Sequence, residues 1–511
     1  MSLSQNADNS TPNNQPASDP TSDASQDNNT IDTPSSDSSS ENEDHRPKGD
    51  RRGFPFFIII IAVAILAALS LLPWAQWTDG KFKGFSLISD LIYSNDDQQS
   101  GAEVVDPELI AALNENEDQL APRINSGDST YTTIPTPDQV KPAQAPRPSG
   151  DQVVIEDYTI KSQGLYNFKR AIANRANRPA RVAVIGDSYI EGDIFTMDLR
   201  ADLQDLYGGS GVGYVYMSSP LTGFRTSVSQ RCSGWTEHDI RKNMPDKYKA
   251  LQGEYFTASG AATTTYNGTD KLPHLKSWNN TGFMFIAPSD AKIAITTDAG
   301  TKTYDVKASP DVQFIEIPGA TSLAKIATST NGLIALGTYL NDNSGVVVDC
   351  MSLRGNSGIS HRSLSIDLAG QMRKFIDYDL IIIEYGINAL SSSQKDYSGY
   401  KKLMVKTVTR IKECFPNADI LILGIGDRGQ KSGGVVKSIA TSPNMVSAQR
   451  DIARETGSLF WDTREAMGGD GAVVKWRNEG KINPDYIHLN AKGGKELGAL
   501  LAGAIKNALN K

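Results

Sequence analysis

The chain has 511 residues, 22% of them charged, and a formal net charge of -8, which leaves room for two or three domains of ordinary soluble composition after the first fifth. No basic stripe with interleaved aromatic residues runs through it, which argues against nucleic acid as a partner. The three cysteines, Cys232, Cys350 and Cys414, form no Cys-x-x-Cys pair and have no histidine at ligand spacing, which argues against a structural zinc site.

Residues 1–45 are Ser, Asn, Asp, Thr, Pro and Gln with almost nothing apolar, too little to offset the entropy of ordering, so a disordered tail is expected. Arg46, Lys48, Arg51 and Arg52 then precede an uncharged apolar run within 54–74, about 20 residues and long enough to cross a bilayer as a helix. Trp74 and Trp77 stand where an interfacial aromatic belt belongs. The long polar segment in front, the length of the run and the lack of an Ala-x-Ala site disfavour a cleaved signal peptide. With the basic cluster on the near side, the expectation is a single-pass anchor, its N-terminus cytoplasmic and everything after about Trp77 extracytoplasmic.

Residues 78–150 turn rich in Pro and Gln after Ala121 and read as a tether, with short helices at 87–95 and 107–115. A helix at about 165–176 leads into Val182, Ala183, Val184 and Ile185, an apolar run expected of a strand buried on both faces. The run stops at Gly186-Asp187-Ser188, and a helical pattern follows at about 193–207. Strand, Gly turn and helix is the geometry that exposes a nucleophile at the C-terminal edge of a parallel sheet, near helix N–H groups able to hold an oxyanion.

From 221 to 345 the chain changes character. Short period-two runs rich in Thr, Ser and Gly, such as Ala291-Lys-Ile-Ala-Ile-Thr-Thr297, predict an all-β insert built as a sandwich. Cys232 and Cys350 bracket it, as a disulfide or as two inert buried thiols. Trp235, Tyr266 and Trp278 are candidates for stacking on sugar rings or for the core.

The α/β rhythm then resumes. Strands are expected at 346–353, 378–385, 418–424 and 459–462, and helices at 363–375, 400–414, 444–456 and 491–509. Such alternation predicts a three-layer, mostly parallel sheet made of 151–220 and 346–511. Ser188, Gly355 and Asn388 each fall just past a strand, and Asp485 and His488 lie directly before the last helix. Ligands of open α/β sheets bind along that edge. A hydroxyl that attacks, an imidazole that takes its proton, a carboxylate that fixes the imidazole tautomer and N–H donors for an oxyanion are the parts of serine ester hydrolysis. An Asp three residues before a His can reach back to that ring's Nδ1.

Gly186-Asp-Ser188, Gly355, Gly386-Ile-Asn388 and Asp485-Tyr-Ile-His488 resemble, in order, the four blocks of the SGNH (GDSL) hydrolase family. The resemblance implies a flavodoxin-like α/β fold interrupted by the β-rich insert. It implies Ser188 as nucleophile, His488 as base, Asp485 as its orienter, and the N–H groups of Ser188 and Gly355 with the Asn388 amide as the oxyanion hole, with no cofactor and no metal. Two departures stand out. Ala389 replaces an Asp that usually closes the third block, and in the loose second block Asn356 or Gly358 are alternatives to Gly355 as donor. Trp461-Asp462 and Ala466-Met-Gly-Gly469 further resemble a bacterial envelope branch acting on O-acetyl groups of peptidoglycan or other polysaccharides.

The expectation is thus an extracytoplasmic serine esterase removing acyl, above all acetyl, groups from a glycan. One alternative is an O-acyltransferase of envelope polysaccharide working with an integral membrane acyl-transfer partner; another is a non-catalytic glycan-binding protein.

Overall fold

The computed structural model describes residues 153–220, 224–432 and 434–510, together with Leu109 and Ala112. The expected tail 1–45, the apolar run 54–74 and the tether 78–150, apart from Leu109 and Ala112, lie outside the described residues. Those two are helical and buried. Among the described residues no helix is long and apolar enough to cross a membrane.

The chain opens with β1 (Glu156–Asp157), α1 (Tyr166–Ala173), β2 (Ala180–Gly186) and α2 (Thr196–Tyr207). A β-rich stretch follows: β3 (Gly213–Val215), β4 (Ser229–Asp239), β5 (Glu254–Asn267), β6 (Trp278–Ala287), β7 (Ala291–Thr297), β8 (Gly300–Val306), β9 (Ser309–Thr321), β10 (Leu323–Thr328) and β11 (Ile334–Asn341). Then come β12 (Val346–Ser352), α3 (Ile366–Met372), β13 (Leu380–Glu384), α4 (Ser398–Cys414), β14 (Asp419–Leu423), the hairpin β15 (Gly429–Ser432) and β16 (Val435–Ser438), α5 (Ser442–Thr456), β17 (Leu459–Trp461), α6 (Thr463–Met467), α7 (Ala472–Asn478) and α8 (Ala491–Leu509).

One sheet has the order β1-β17-β14-β13-β2-β12. Its last five strands are parallel, and β1 joins antiparallel at the edge. Counted by chain position, β12-β2-β13-β14-β17 is the 2-1-3-4-5 order of a flavodoxin-like sheet. Every residue of β13 is buried, as are all but one of β2, which requires helices on both faces and accounts for runs without alternation. Each fully buried Val, Ile or Leu in these strands contributes about 1.5–3 kcal/mol of apolar transfer before ordering entropy.

Helix α8 lies tight against the chain around α2. A Cβ on Gly494 would come 2.1 Å from the Ile194 carbonyl oxygen, and one on Gly498 would come 2.9 Å from the Leu199 nitrogen. Only glycine allows that approach, and it brings the start of α8, with the loop before it, up to the chain segment that follows β2.

The nine strands β3 to β11 form a second sheet. All of it is β structure, as expected, and its strands are joined in one hydrogen-bonded network. The cause is β5, 14 residues long, which pairs with β4 along one side and on the other with β11 near its start and β10 near its end. The sheet also begins earlier than the patterning suggests, because β3 pairs with β11. The helix expected at 363–375 is shorter. A 3-10 turn at Ile359–Ser363 precedes it, and Ser365 caps α3 by accepting from the Leu368 N–H.

Candidate active site

Brought to one edge of the parallel sheet are Ser188 past β2, Gly355 past β12 and Asn388 past β13. The strand order reverses at β2, which has the second strand on one side and the third on the other, and open α/β sheets keep a ligand crevice at that point. Asp485 and His488 occupy a loop closed by an Ile482–Leu489 bridge and by the Asn483 N–H donating to the His488 carbonyl at 2.8 Å. Asn490 then caps α8, its side chain accepting from the N–H groups of Lys492 and Gly493.

Ser188 Oγ lies 2.8 Å from His488 Nε2, and His488 Nδ1 lies 2.6 Å from Asp485 Oδ2. The other carboxylate oxygen of Asp485 accepts from the backbone N–H groups of Ile487 at 2.9 Å and His488 at 3.1 Å. Burial opposes ionisation of Asp485, but the His488 hydrogen bond, the charge of that ring and the two N–H groups outweigh it and hold the carboxyl below its usual range. An ionised Asp485 only accepts, so Nδ1 must donate to it. A neutral His488 then has Nε2 left as the acceptor for the Ser188 hydroxyl.

Among the described residues the backbone N–H groups of Ser188 and Gly355 make no hydrogen bond within the protein. Those of Asn356 and Gly358 are taken, by the Leu353 carbonyl at 3.2 Å and by Asn356 Oδ1 at 2.8 Å. The Asn388 amide nitrogen donates to Asp187 Oδ2 at 2.8 Å and to the Asn356 carbonyl at 3.1 Å. Among the described residues the buried Asn356 amide nitrogen has no hydrogen-bond partner. The start of α2 does not reach Ser188, since a 3-10 turn at Glu191–Asp193 separates the two.

Beneath the turn sit two carboxyls. Asp187 is fully buried and also accepts from the Tyr189 N–H at 2.9 Å. Burial lifts it to about 7 against the Tyr189 N–H, the His488 charge and the Asn388 amide. Glu384 ends β13 in register with Gly186, and burial together with the Asp187 charge holds it well above the carboxylate range. Sequence reasoning missed Glu384. Its one signal was an acidic residue closing an otherwise apolar strand.

The aromatic and cysteine candidates fall elsewhere, as do His238, His274 and His361, while Arg354 flanks Gly355. His361 is buried against the Leu251 carbonyl at 3.0 Å, and burial lowers it to about 4. His238 stacks on Tyr255, and His274 pairs with Asp205. Arg354 is ion-paired to Glu191. Tyr266 and Trp278 are core residues, which removes them as sugar platforms, while Trp235 is half-buried. All three cysteines are free thiols. Cys350 Sγ faces the Ile190 carbonyl and Cys232 Sγ faces Ser218, so no disulfide brackets the β-rich stretch.

No protein-family model and no curated protein matches the sequence. A solved peptidoglycan O-acetylesterase is similar in structure, with a TM-score of 0.59 at 22% identity over 70% of this chain and 99% of that one. Family two carbohydrate esterases from Clostridium thermocellum and Cellvibrio japonicus match at TM-scores of 0.25 and 0.24, with 11% and 10% identity, over 54% and 56% of this chain and 99% and 98% of theirs, too distant to carry an argument. The first likeness shows that this chain shares that structure's fold, in which the residues of the four sequence blocks come together at one edge of the parallel sheet.

Proposed function

We propose that the chain is a serine esterase that removes acyl groups, above all acetyl, from a glycan. The observation that carries this reading is the unbroken relay from Ser188 Oγ through His488 to Asp485, at 2.8 and 2.6 Å, beside two backbone N–H groups that have no acceptor among the described residues. Ser188 Oγ bonds to the ester carbonyl carbon as its proton passes to His488 Nε2. The carbonyl electron pair moves onto oxygen, which meets the N–H groups of Ser188 and Gly355 and the Asn388 amide. Collapse of the tetrahedral species breaks the bond to the sugar oxygen, which leaves with the proton held by His488. Water then repeats the sequence on the acyl-Ser188 ester and releases the acid.

The glycan substrate is supported by the likeness to a peptidoglycan O-acetylesterase. The extracytoplasmic location is supported by the basic cluster ahead of the apolar run 54–74, which serves as a single-pass anchor in this reading.

The test is acetate release by the purified full-length protein from an activated acetyl ester and from O-acetylated peptidoglycan. Release that stops in Ser188→Ala and His488→Ala is the expected result, and release that survives either change overturns the assignment. Adding an oligosaccharide acceptor and finding it acetylated by mass spectrometry would replace hydrolysis by transfer. Cleavage within residues 1–45 by protease added to intact cells would overturn the orientation.

A further inference from the structure

Arg241 follows the end of β4, in the β-rich stretch, yet its guanidinium donates from Nη1 to the carbonyl oxygen of Arg354, in the second sequence block. That carbonyl belongs to the peptide joining Arg354 to Gly355. A trans peptide holds its C=O and its N–H on opposite edges of one plane, so a group that fixes the carbonyl also fixes the direction of the N–H. The opposite edge here is the Gly355 N–H, which has no acceptor among the described residues. Gly355 sits at φ +76, a conformation that admits glycine readily, so the chain can present that edge without strain.

Arg241 is itself clamped. The Asp239 carboxylate, buried at 2% exposure, accepts from the Arg241 backbone N–H at 2.8 Å, from Nε at 3.0 and 3.1 Å, and from Nη2. A guanidinium held on one side by a carboxylate fork keeps its remaining donors in fixed directions. The peptide is tied from its other side as well, since Arg354 Nε donates at 2.8 Å to Glu191, three residues beyond Ser188. More of the β-rich stretch braces the chain on either side of the same block. Tyr216 Oη donates to the Gln252 and Ser352 carbonyls, each at 3.2 Å, and the Ser365 N–H donates to the Lys249 carbonyl at 2.9 Å.

We propose that Arg241 is a positioning residue for the oxyanion hole, holding the Arg354–Gly355 peptide with its N–H turned toward the oxygen of the tetrahedral intermediate. The β-rich stretch then supplies part of the catalytic geometry, a role separate from any contact with glycan. This rests on the esterase reading and on Gly355 as an oxyanion donor.

The test compares Arg241→Ala, Arg241→Lys and Ser188→Ala in the full-length protein on an activated acetyl ester. Arg241→Ala is expected to lower kcat roughly 10- to 100-fold, a part of what loss of a whole donor costs, with KM within about twofold. Affinity for a boronic acid, which forms a tetrahedral adduct on Ser188, should fall in parallel. Added ethylguanidinium should restore activity to Arg241→Ala and not to Ser188→Ala, a rescue that a merely destabilised protein would not show. Should Arg241→Ala fold poorly, Arg241→Lys keeps the charge but loses the fork, and it should show the same split between kcat and KM. Activity that needs Ser188 while both Arg241 variants keep kcat within twofold overturns this inference alone. Activity that survives Ser188→Ala overturns the esterase reading, and this inference with it.

Discussion

The Asn388 amide donates to the Asp187 carboxylate at 2.8 Å, tying the loop after β13 to the turn that carries Ser188. The same nitrogen donates to the Asn356 carbonyl at 3.1 Å, so one side chain joins three of the four sequence blocks. To serve an oxyanion it must share or release one of these bonds, and the longer one to Asn356 is the weaker hold.

That arrangement separates two effects in Asn388→Ala. Loss of an oxyanion donor costs about 10²–10³ in kcat. Leaving the buried Asp187 one donor short costs about 1–3 kcal/mol of stability. Kinetics on an acetyl ester and urea unfolding measure the two independently. A variant that is less stable but keeps its kcat would make Asn388 a brace and remove it from the oxyanion hole.

Asp485→Asn keeps the shape of the loop and reverses the tautomer argument. An amide nitrogen facing Nδ1 stabilises the ring with its proton on Nε2, which can no longer accept from Ser188. The drop expected in kcat is about 10⁴-fold. Nitrogen chemical shifts of His488 report the tautomer directly. An unchanged tautomer, or a loss of less than tenfold, would count against Asp485 as orienter.

The carboxyl pair beneath the turn gives a pH signature. Glu384 is held well above its ordinary 4.5 by burial and by Asp187, itself raised to about 7 chiefly by burial. An acid whose pKa is raised by folding favours the folded state most below its unfolded pKa, and that advantage is lost as pH rises toward the folded value. The wild-type protein should therefore lose stability relative to Glu384→Gln from about pH 5 upward through 7, at up to about 1.4 kcal/mol per pH unit. Urea midpoints of both proteins at pH 5, 7 and 9 test this. Parallel curves would mean that Glu384 is ionised in the folded state.

Asp193 and Arg200 form an ion pair at 2.7 Å with both side chains fully buried, linking the segment after the Ser188 turn to α2. Asp193→Ala strands the Arg200 charge in the interior, with an expected cost of about 3–5 kcal/mol. A loss below 1 kcal/mol in urea unfolding would count against an uncompensated Arg200 charge in the interior, even though Asp193 also pairs with Arg225 at 3.3 Å.

The parallel strands were legible because a strand buried on both faces must be apolar at every position, as Leu380, Ile381, Ile382 and Ile383 are. The β-rich stretch was legible from its alternation, but its strand order was not, since period two says which face a residue takes and nothing about which strands pair. The hairpin β15–β16 escaped notice because Val435 and Val436, set among polar residues, are adjacent and so take opposite faces of the strand, which leaves no apolar face. Trp278 and Tyr266 showed in the sequence as aromatics able to pack or to stack, and only their burial decided for the core.

At the site, the residue types and their order belong to the sequence: Ser188 after a strand, Asp485 three before His488, Asn388 after another strand. A short spacing such as the last-named Asp and His fixes a local contact, because the chain between them has few conformations. Ser188 and His488 stand 300 residues apart, and nothing local brings them to 2.8 Å. Packing of α8 against the chain around α2 does that, through Gly494 and Gly498. The same holds for Glu384 under Asp187 and for Arg241 against Arg354, where partners come from different strands or from a different sheet. The sequence by itself determined which reactive groups the chain carries and in what order, because residue types and local spacing survive in one dimension; the tertiary structure alone decided which groups meet, because long-range contacts are set by packing.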